Sequence, residues 1–185
     1  MKKLTKENWR ASDPIISSGA LVRLSLVDGS VETMKPNDWA EHLLRPQLSP
    51  SVPTEVRELF EVARGAMIYG SLFFPLFTLG LGQVYRVAET ATRMKAKAAG
   101  ISLLTKKNRQ RTFAMLLSEF RDRRMLSQAE HAVWADVRQW RNALTHAEQL
   151  TILAPGTAAA RLCSLAETIN RLFSTPISAD QNHSI

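Results

Sequence analysis

With a single cysteine, Cys163, in 185 residues, the chain can form neither an intramolecular disulfide nor a thiolate zinc site. That excludes a secreted disulfide framework and favours a reducing compartment, so a cytoplasmic location is expected. Catalytic patterns are scarce as well. There is no phosphate-binding glycine loop, no paired-histidine metal helix and no nucleophile elbow, and the carboxylates are scattered. His42, His131 and His183 have no companions at ligand spacing, so neither a metal nor another cofactor is expected. The first ten residues have the lysines of a signal peptide without its apolar run, because Thr5, Lys6, Glu7 and Asn8 follow Leu4; secretion is not expected.

Only one long uncharged run is present. Nothing between Arg64 and Arg86 carries a charge, and a run of that length matches a bilayer. Gly70, Ser71 and Pro75 interrupt it, however, and Thr78, Gly80 and Gln83 dilute its second half. Two buried helix ends meeting at a bend are expected instead, with no membrane association.

What the chain has in excess is positive charge, concentrated in one place. The formal net charge is +7, and the stretch from Arg93 to Arg124 alone carries +8, leaving the remainder near neutral. A polyanion would be drawn to that region and not to the whole surface, although solvated helix ends and a loop would look the same in sequence.

Residues 20 to 34 read as a β-hairpin, with Val22, Leu24 and Leu26 alternating, a turn at Asp28-Gly29, and Val31 following. Pro36 opens a short helix through Leu44, and Pro46, Pro50 and Pro53 form a linker. A helical period then begins with Thr54 as cap and stops near Gly70, and a second helix from about Pro75 to Ala99 ends at Gly100. Phe113, Leu116, Leu117 and Phe120 mark a third. Ser127 and Glu130 form a capping box for a fourth, whose stripe Val133, Val137, Trp140 and Leu144 is expected to face inward. Pro155-Gly156 interrupts the chain before a last helix carrying Ala158, Leu162, Leu165, Ile169 and Leu172. The predicted fold class is all-α: an antiparallel up-and-down helix bundle with a small N-terminal β-hairpin appendage. The division is residues 1–53 as appendage, 54–174 as bundle and 175–185 as a disordered tail.

The remaining chemical candidate is Trp140-Arg141-Asn142-Ala143-Leu144-Thr145-His146 at a helix end. It resembles the signature of the HEPN superfamily, an arginine and a histidine separated by four to six residues on one helix of a bundle. Tyr69 to Gly80, followed by Tyr85-Arg86-Val87-Ala88-Glu89, is similar to the aromatic-rich paired helices of uncharacterised bacterial HEPN-like proteins. The likeness extends over roughly Thr54 to Phe173. Arg124 and His131 also meet the looser spacing, but the Ser127 cap falls between them and puts them on different elements.

Asn142 and His146 are four apart and share a helix face, so Asn142 is placed to orient the imidazole. Arg141 is turned about 140° from His146 on an ideal helix, so the two cannot point together from one chain. The resemblance implies a two-fold homodimer in which both motifs meet in one cleft. It also implies metal-independent RNA cleavage, with His146 moving the proton of a 2′-hydroxyl and Arg141 stabilising charge on phosphorus. A toxin or defence role, with a protein antitoxin as partner, follows from the same likeness. Arg138, Lys106, Lys107, Arg109 and Arg111 are the candidate substrate-binding cations.

Competing readings remain. Arg141 and His146 are also what a helix C-terminus favours through its macrodipole, with no function attached. A non-catalytic HEPN-like module binding a nucleotide, RNA or a protein fits the same pattern. Arg86 and Glu89 read as an ordinary ion pair, Trp134 and Trp140 as core or interface, and Cys163 as a small buried residue.

Overall fold

The computed structural model describes residues 2–24, 29–145 and 154–174. These residues are mostly helical, with α1 at Pro14–Ser17, α2 at Pro36–Leu44, α3 at Thr54–Tyr69, α4 at Leu76–Ala98, α5 at Phe113–Asp122, α6 at Gln128–Thr145 and α7 at Pro155–Ser174. Two short strands, β1 at Val22–Leu24 and β2 at Val31–Thr33, pair antiparallel with Val22 opposite Thr33 and Leu24 opposite Val31. Leu26 of the expected strand, Asp28 of the expected turn, and the tail 175–185 with His183 lie outside the described residues.

Local chemistry explains where the helices begin and end. Ser127 and Glu130 cap α6 reciprocally: the Glu130 carboxylate accepts the Ser127 N–H at 2.8 Å, and the Ser127 hydroxyl accepts the Glu130 N–H at 3.2 Å. Thr112 caps α5 by accepting from the Met115 N–H at 3.3 Å. At the end of α4, Gly100 takes a φ of +67°, which lets the Ile101 N–H reach back to the Ala96 carbonyl at 2.9 Å.

Two expected boundaries shift. Pro53 is the cap of α3 and Thr54 its first residue; the Thr54 hydroxyl instead accepts from Arg57 at 3.0 Å. Pro155 and Gly156 do not precede α7 but open it, because a proline at the first helical position loses no hydrogen bond.

Helix α4 lies at the centre, packed most extensively on α3 and also against α5, α6 and α7. The α3–α4 approach is close at Gly80, where an added Cβ would sit 2.7 Å from Met67 Cγ and 3.1 Å from the Ala63 carbonyl. Val84, Val87, Ala88 and Ala91 of α4 are buried against Phe113, Leu116, Leu117 and Phe120 of α5 and the apolar stripe of α7. Each large side chain so buried contributes roughly 1.5–3 kcal/mol.

Helix α6 is rotated relative to the expected stripe. Trp134 is 1% exposed, edge-on to Phe113 at 6.2 Å between ring centres, while Val133 is 41% exposed. Val137 is buried and Trp140 half-buried, and the Leu144 side chain lies outside the described residues.

The segment before residue 54 contributes to the same core. Leu21, Trp39 and Leu43 are buried within it, and the Trp39 indole donates to the Met67 carbonyl at 3.2 Å. Arg64 of α3, itself buried and paired with Glu61, donates to the carbonyls of Leu44 and Pro46 at 3.2 and 3.0 Å and so binds the end of α2. Asn170 of α7 accepts from Ser49 N–H at 2.8 Å and donates to the Gln47 carbonyl at 2.8 Å. Among the described residues, no helix is long and apolar enough to cross a membrane.

Candidate functional site

Burial of Trp134 and Val137 fixes which way the polar side of α6 points. Arg138, Arg141 and Asn142 are three and four residues apart, so they share one outward face. Opposite them α4 presents Glu89 and Arg93, again four apart. The strand of chain entering α5 supplies Gln110, Arg111 and Thr112. Together these residues line a cleft of about 450 Å³ that, among the described residues, holds four arginines and one carboxylate, Glu89.

Glu89 is bonded from both sides. Arg93 Nη2 donates to its Oε1 at 2.9 Å and Arg93 Nε at 3.3 Å, while Arg141 Nη2 reaches Oε2 at 3.4 Å. Among the described residues its ion-pair partners are Arg93 and Arg141, not Arg86 as expected. Arg141 also donates to Asn142 Oδ1 at 3.4 Å, and its side chain remains 41% exposed. Arg111 is steadied by Glu119 at 2.8 Å and by its carbonyl accepting from Arg93 Nη2 at 3.3 Å. Arg123 first and then Arg111 hold the Glu119 carboxyl below the usual glutamate range.

The candidate cations therefore separate into two groups. Arg111 and Arg138 line the cleft. Lys106, Lys107 and Arg109 are exposed on the turn that leads to it, where Leu104 bridges Gln110 and the Thr105 N–H donates to the Arg109 carbonyl at 2.8 Å. The basic stretch is also less free than its charge suggests. Lys95 is buried, 5.7 Å from the Phe173 ring centre, and Arg93, Arg111, Arg121 and Arg123 are all in ion pairs.

His146 lies outside the described residues. Of the sequence candidates, the structure brings together Arg141, Asn142, Arg138 and Arg111. Sequence reasoning missed the part played by Arg93 and by Glu89 as the partner of Arg141; the i,i+4 spacing of Glu89 and Arg93 was the available signal for the first of these contacts.

A second cavity, of about 700 Å³, adjoins on the other side of the Glu89–Arg141 pair. Its walls include Val62, Ala66, Leu79, Gly82 and Tyr85, and Val62 and Leu79 are largely exposed. The pair thus lines both the basic cleft and a more apolar hollow whose wall also holds Thr78, Gln83 and Arg86.

Elsewhere, Arg161 lies 4.6 Å from the Trp140 ring centre and pairs with Asp136. Cys163 is half-buried, not fully buried as expected, and burial pushes its thiol pKa up, with Glu167 adding to the rise. Among the described residues, no three His, Cys, Asp or Glu side chains are grouped to hold a metal ion.

Guanidinium forks pair with carboxylate and phosphate oxygens alike, and in this cleft Arg93 and Arg141 are engaged by Glu89 and Arg111 by Glu119. The chain matches no protein-family model, no curated protein and no solved structure.

Proposed function

We propose that this chain is a metal-independent endoribonuclease of HEPN type, acting as a homodimer through the cleft between α4 and α6. In this reading α3 to α7 are the antiparallel up-and-down bundle of the family. The observation that carries it is the convergence of Arg93, Arg111, Arg138 and Arg141 on one cleft whose lining, among the described residues, holds one carboxylate. That convergence supports the binding of an RNA backbone; cleavage rests on the resemblance of the Arg141–His146 segment.

His146 removes the proton of a 2′-hydroxyl, the oxygen attacks the adjacent phosphorus, and the 5′-oxygen leaves with a proton, giving a 2′,3′-cyclic phosphate and a 5′-hydroxyl. Arg141 stabilises the charge that builds on the phosphoryl oxygens, and Asn142 orients the imidazole. The exposed apolar residues Val62 and Leu79, beside Arg141, suit coverage by a second copy. A toxin or defence role with an antitoxin partner follows if the family likeness holds.

The test is RNA cleavage in excess chelator by wild type and His146→Ala. Activity spared by chelation and reduced roughly 10²–10⁴-fold by the substitution is the expected result. The second reading is a non-catalytic RNA- or nucleotide-binding module, and the engagement of Arg141 by Glu89 and Asn142 favours it. It predicts binding without cleavage in both proteins.

A further inference from the structure

Glu89 occupies the place in the cleft where an anion would be expected. Among the described residues its carboxylate is the one acidic group lining the cleft, Glu119 pairing with Arg111 from outside that lining, and it touches Arg93 on its own helix and Arg141 on α6. The two contacts are unequal. Arg93 grips Oε1 with two nitrogens at 2.9 and 3.3 Å, whereas Arg141 meets Oε2 at 3.4 Å, well beyond the 2.7–2.9 Å of a strong charged hydrogen bond. Arg141 is also the more exposed of the two, at 41% against 25%. The α4–α6 link through Glu89 is therefore a weak, partly solvated ion pair, of the kind that contributes little to stability.

We propose that Arg93 and Arg141 form a two-arginine clamp for one backbone phosphate of a single RNA strand, and that Glu89 is its internal occupant, displaced when the strand binds. This rests on the reading of the cleft as an RNA site and adds a competing residue to it. A carboxylate and a phosphate presenting oxygens to the same guanidinium are mutually exclusive ligands. Should the carboxylate stay in place, it faces the incoming phosphate as a like charge at a few ångströms, where repulsion at a partly buried site is strong. Glu89 also holds Arg141 in place, which would favour binding. Arg141 has a second local partner in Asn142, however, and the pairing distance is long, so relief of repulsion outweighs loss of orientation.

The measurement is binding of a labelled, fully 2′-O-methylated RNA strand, which cannot be cleaved by 2′-hydroxyl attack, followed by fluorescence anisotropy over a range of salt. Glu89→Gln keeps the shape and an acceptor oxygen while removing the charge. Glu167→Gln, at an exposed pair with Arg171 on α7, makes the same change in net charge away from the cleft. Glu89→Gln is expected to tighten binding about tenfold and to steepen the salt dependence by about 0.7 in log–log slope, one more phosphate being neutralised. Glu167→Gln should tighten it by no more than about twofold. Adding Arg93→Gln to Glu89→Gln should remove most of the gain.

Equal effects of Glu89→Gln and Glu167→Gln overturn the clamp, and weaker binding by Glu89→Gln overturns it in favour of Glu89 as an anchor for Arg141. A gain that persists without Arg93 overturns the two-arginine arrangement. No binding by any variant overturns both this inference and the RNA reading beneath it, whereas a tenfold gain in a protein that cleaves nothing supports the clamp and removes only the nuclease.

Discussion

The carboxylate of Asp13 accepts the N–H of Phe74 at 3.1 Å, joining the N-terminal segment to the bend between α3 and α4 across 61 residues of sequence. Its other oxygen caps α1 by accepting from Ile15 N–H at 3.1 Å, and the Asp13 N–H donates to the Ser71 carbonyl at 3.1 Å. Asp13 is fully buried. The peptide groups of a bend that has left the helix need partners, and this residue supplies two of them.

Asp13→Ala should therefore cost about 2–3 kcal/mol, since the buried Phe74 N–H and the part-buried Ile15 N–H both lose their acceptor. Urea unfolding followed by far-UV circular dichroism would register this as a lower midpoint with an unchanged slope. A midpoint within error of wild type would mean that the bend does not depend on the N-terminal segment.

Ser127→Ala probes the cap of α6. Loss of the cap costs about 1 kcal/mol near neutral pH. The Ser127 backbone N–H first, and then its hydroxyl, hold the Glu130 carboxyl below the usual glutamate pKa. A depressed folded pKa means that the carboxylate's contribution is complete above the unfolded value and is lost as pH falls through the folded one. The gap between wild type and Ser127→Ala should therefore narrow below about pH 4.5, when unfolding midpoints are compared across acid buffers. A gap independent of pH would separate the cap from the carboxylate.

Helix ends were legible because each is written in a few adjacent residues: Ser127 with Glu130, Gly100 after Ala99, Gly70 after Tyr69. The facing of α6 was not. Val133 and Trp134 are adjacent apolar residues, and either continues a helical stripe to Val137; the choice falls to Trp134 because its ring meets Phe113 from α5, a contact between different helices. The site divides in the same way. Arg141, Asn142 and Arg138 stand out as neighbours on one helix, whereas the Glu89–Arg141 contact joins residues 52 apart and depends on how α4 and α6 cross. Lys95, whose charge counts toward the +8 of the Arg93–Arg124 stretch, lies on the buried side of α4, which a count of charges does not reveal.

Tyr85 is 3% exposed, and its hydroxyl has no hydrogen-bond partner among the described residues. Burial pushes its pKa up to about 12 from 10.0, partly offset by Arg161. The unfolded chain ionises this phenol near its ordinary value while the folded chain does not, so the unfolded state gains stability as pH rises. Between about pH 10 and 12 the protein should lose roughly 1.4 kcal/mol per pH unit from this group. Tyr85→Phe should flatten that alkaline decline and leave stability near pH 7 unchanged or raised by up to about 1 kcal/mol. A clear loss at neutral pH would show that the hydroxyl has a stabilising role.

On the proposed reading of the cleft as an RNA site, the two groups of cations should behave differently toward RNA. Arg138 lines the cleft between α4 and α6, whereas Lys106 and Lys107 are exposed on the turn leading to it. A charge inside a cleft contacts the bound strand and governs its release; a charge on the rim mainly steers its approach. Arg138→Ala should thus speed dissociation of a 2′-O-methylated strand and lower the salt slope by about 0.7, as expected when one phosphate contact is lost from a single strand. Lys106→Ala with Lys107→Ala should slow association, most visibly at low salt, and leave dissociation nearly unchanged. Stopped-flow fluorescence at two ionic strengths separates the rates. If the lysine pair controls dissociation and Arg138 does not, the strand lies along the turn and not in the cleft, and the assignment of Arg141 to a phosphate falls with it.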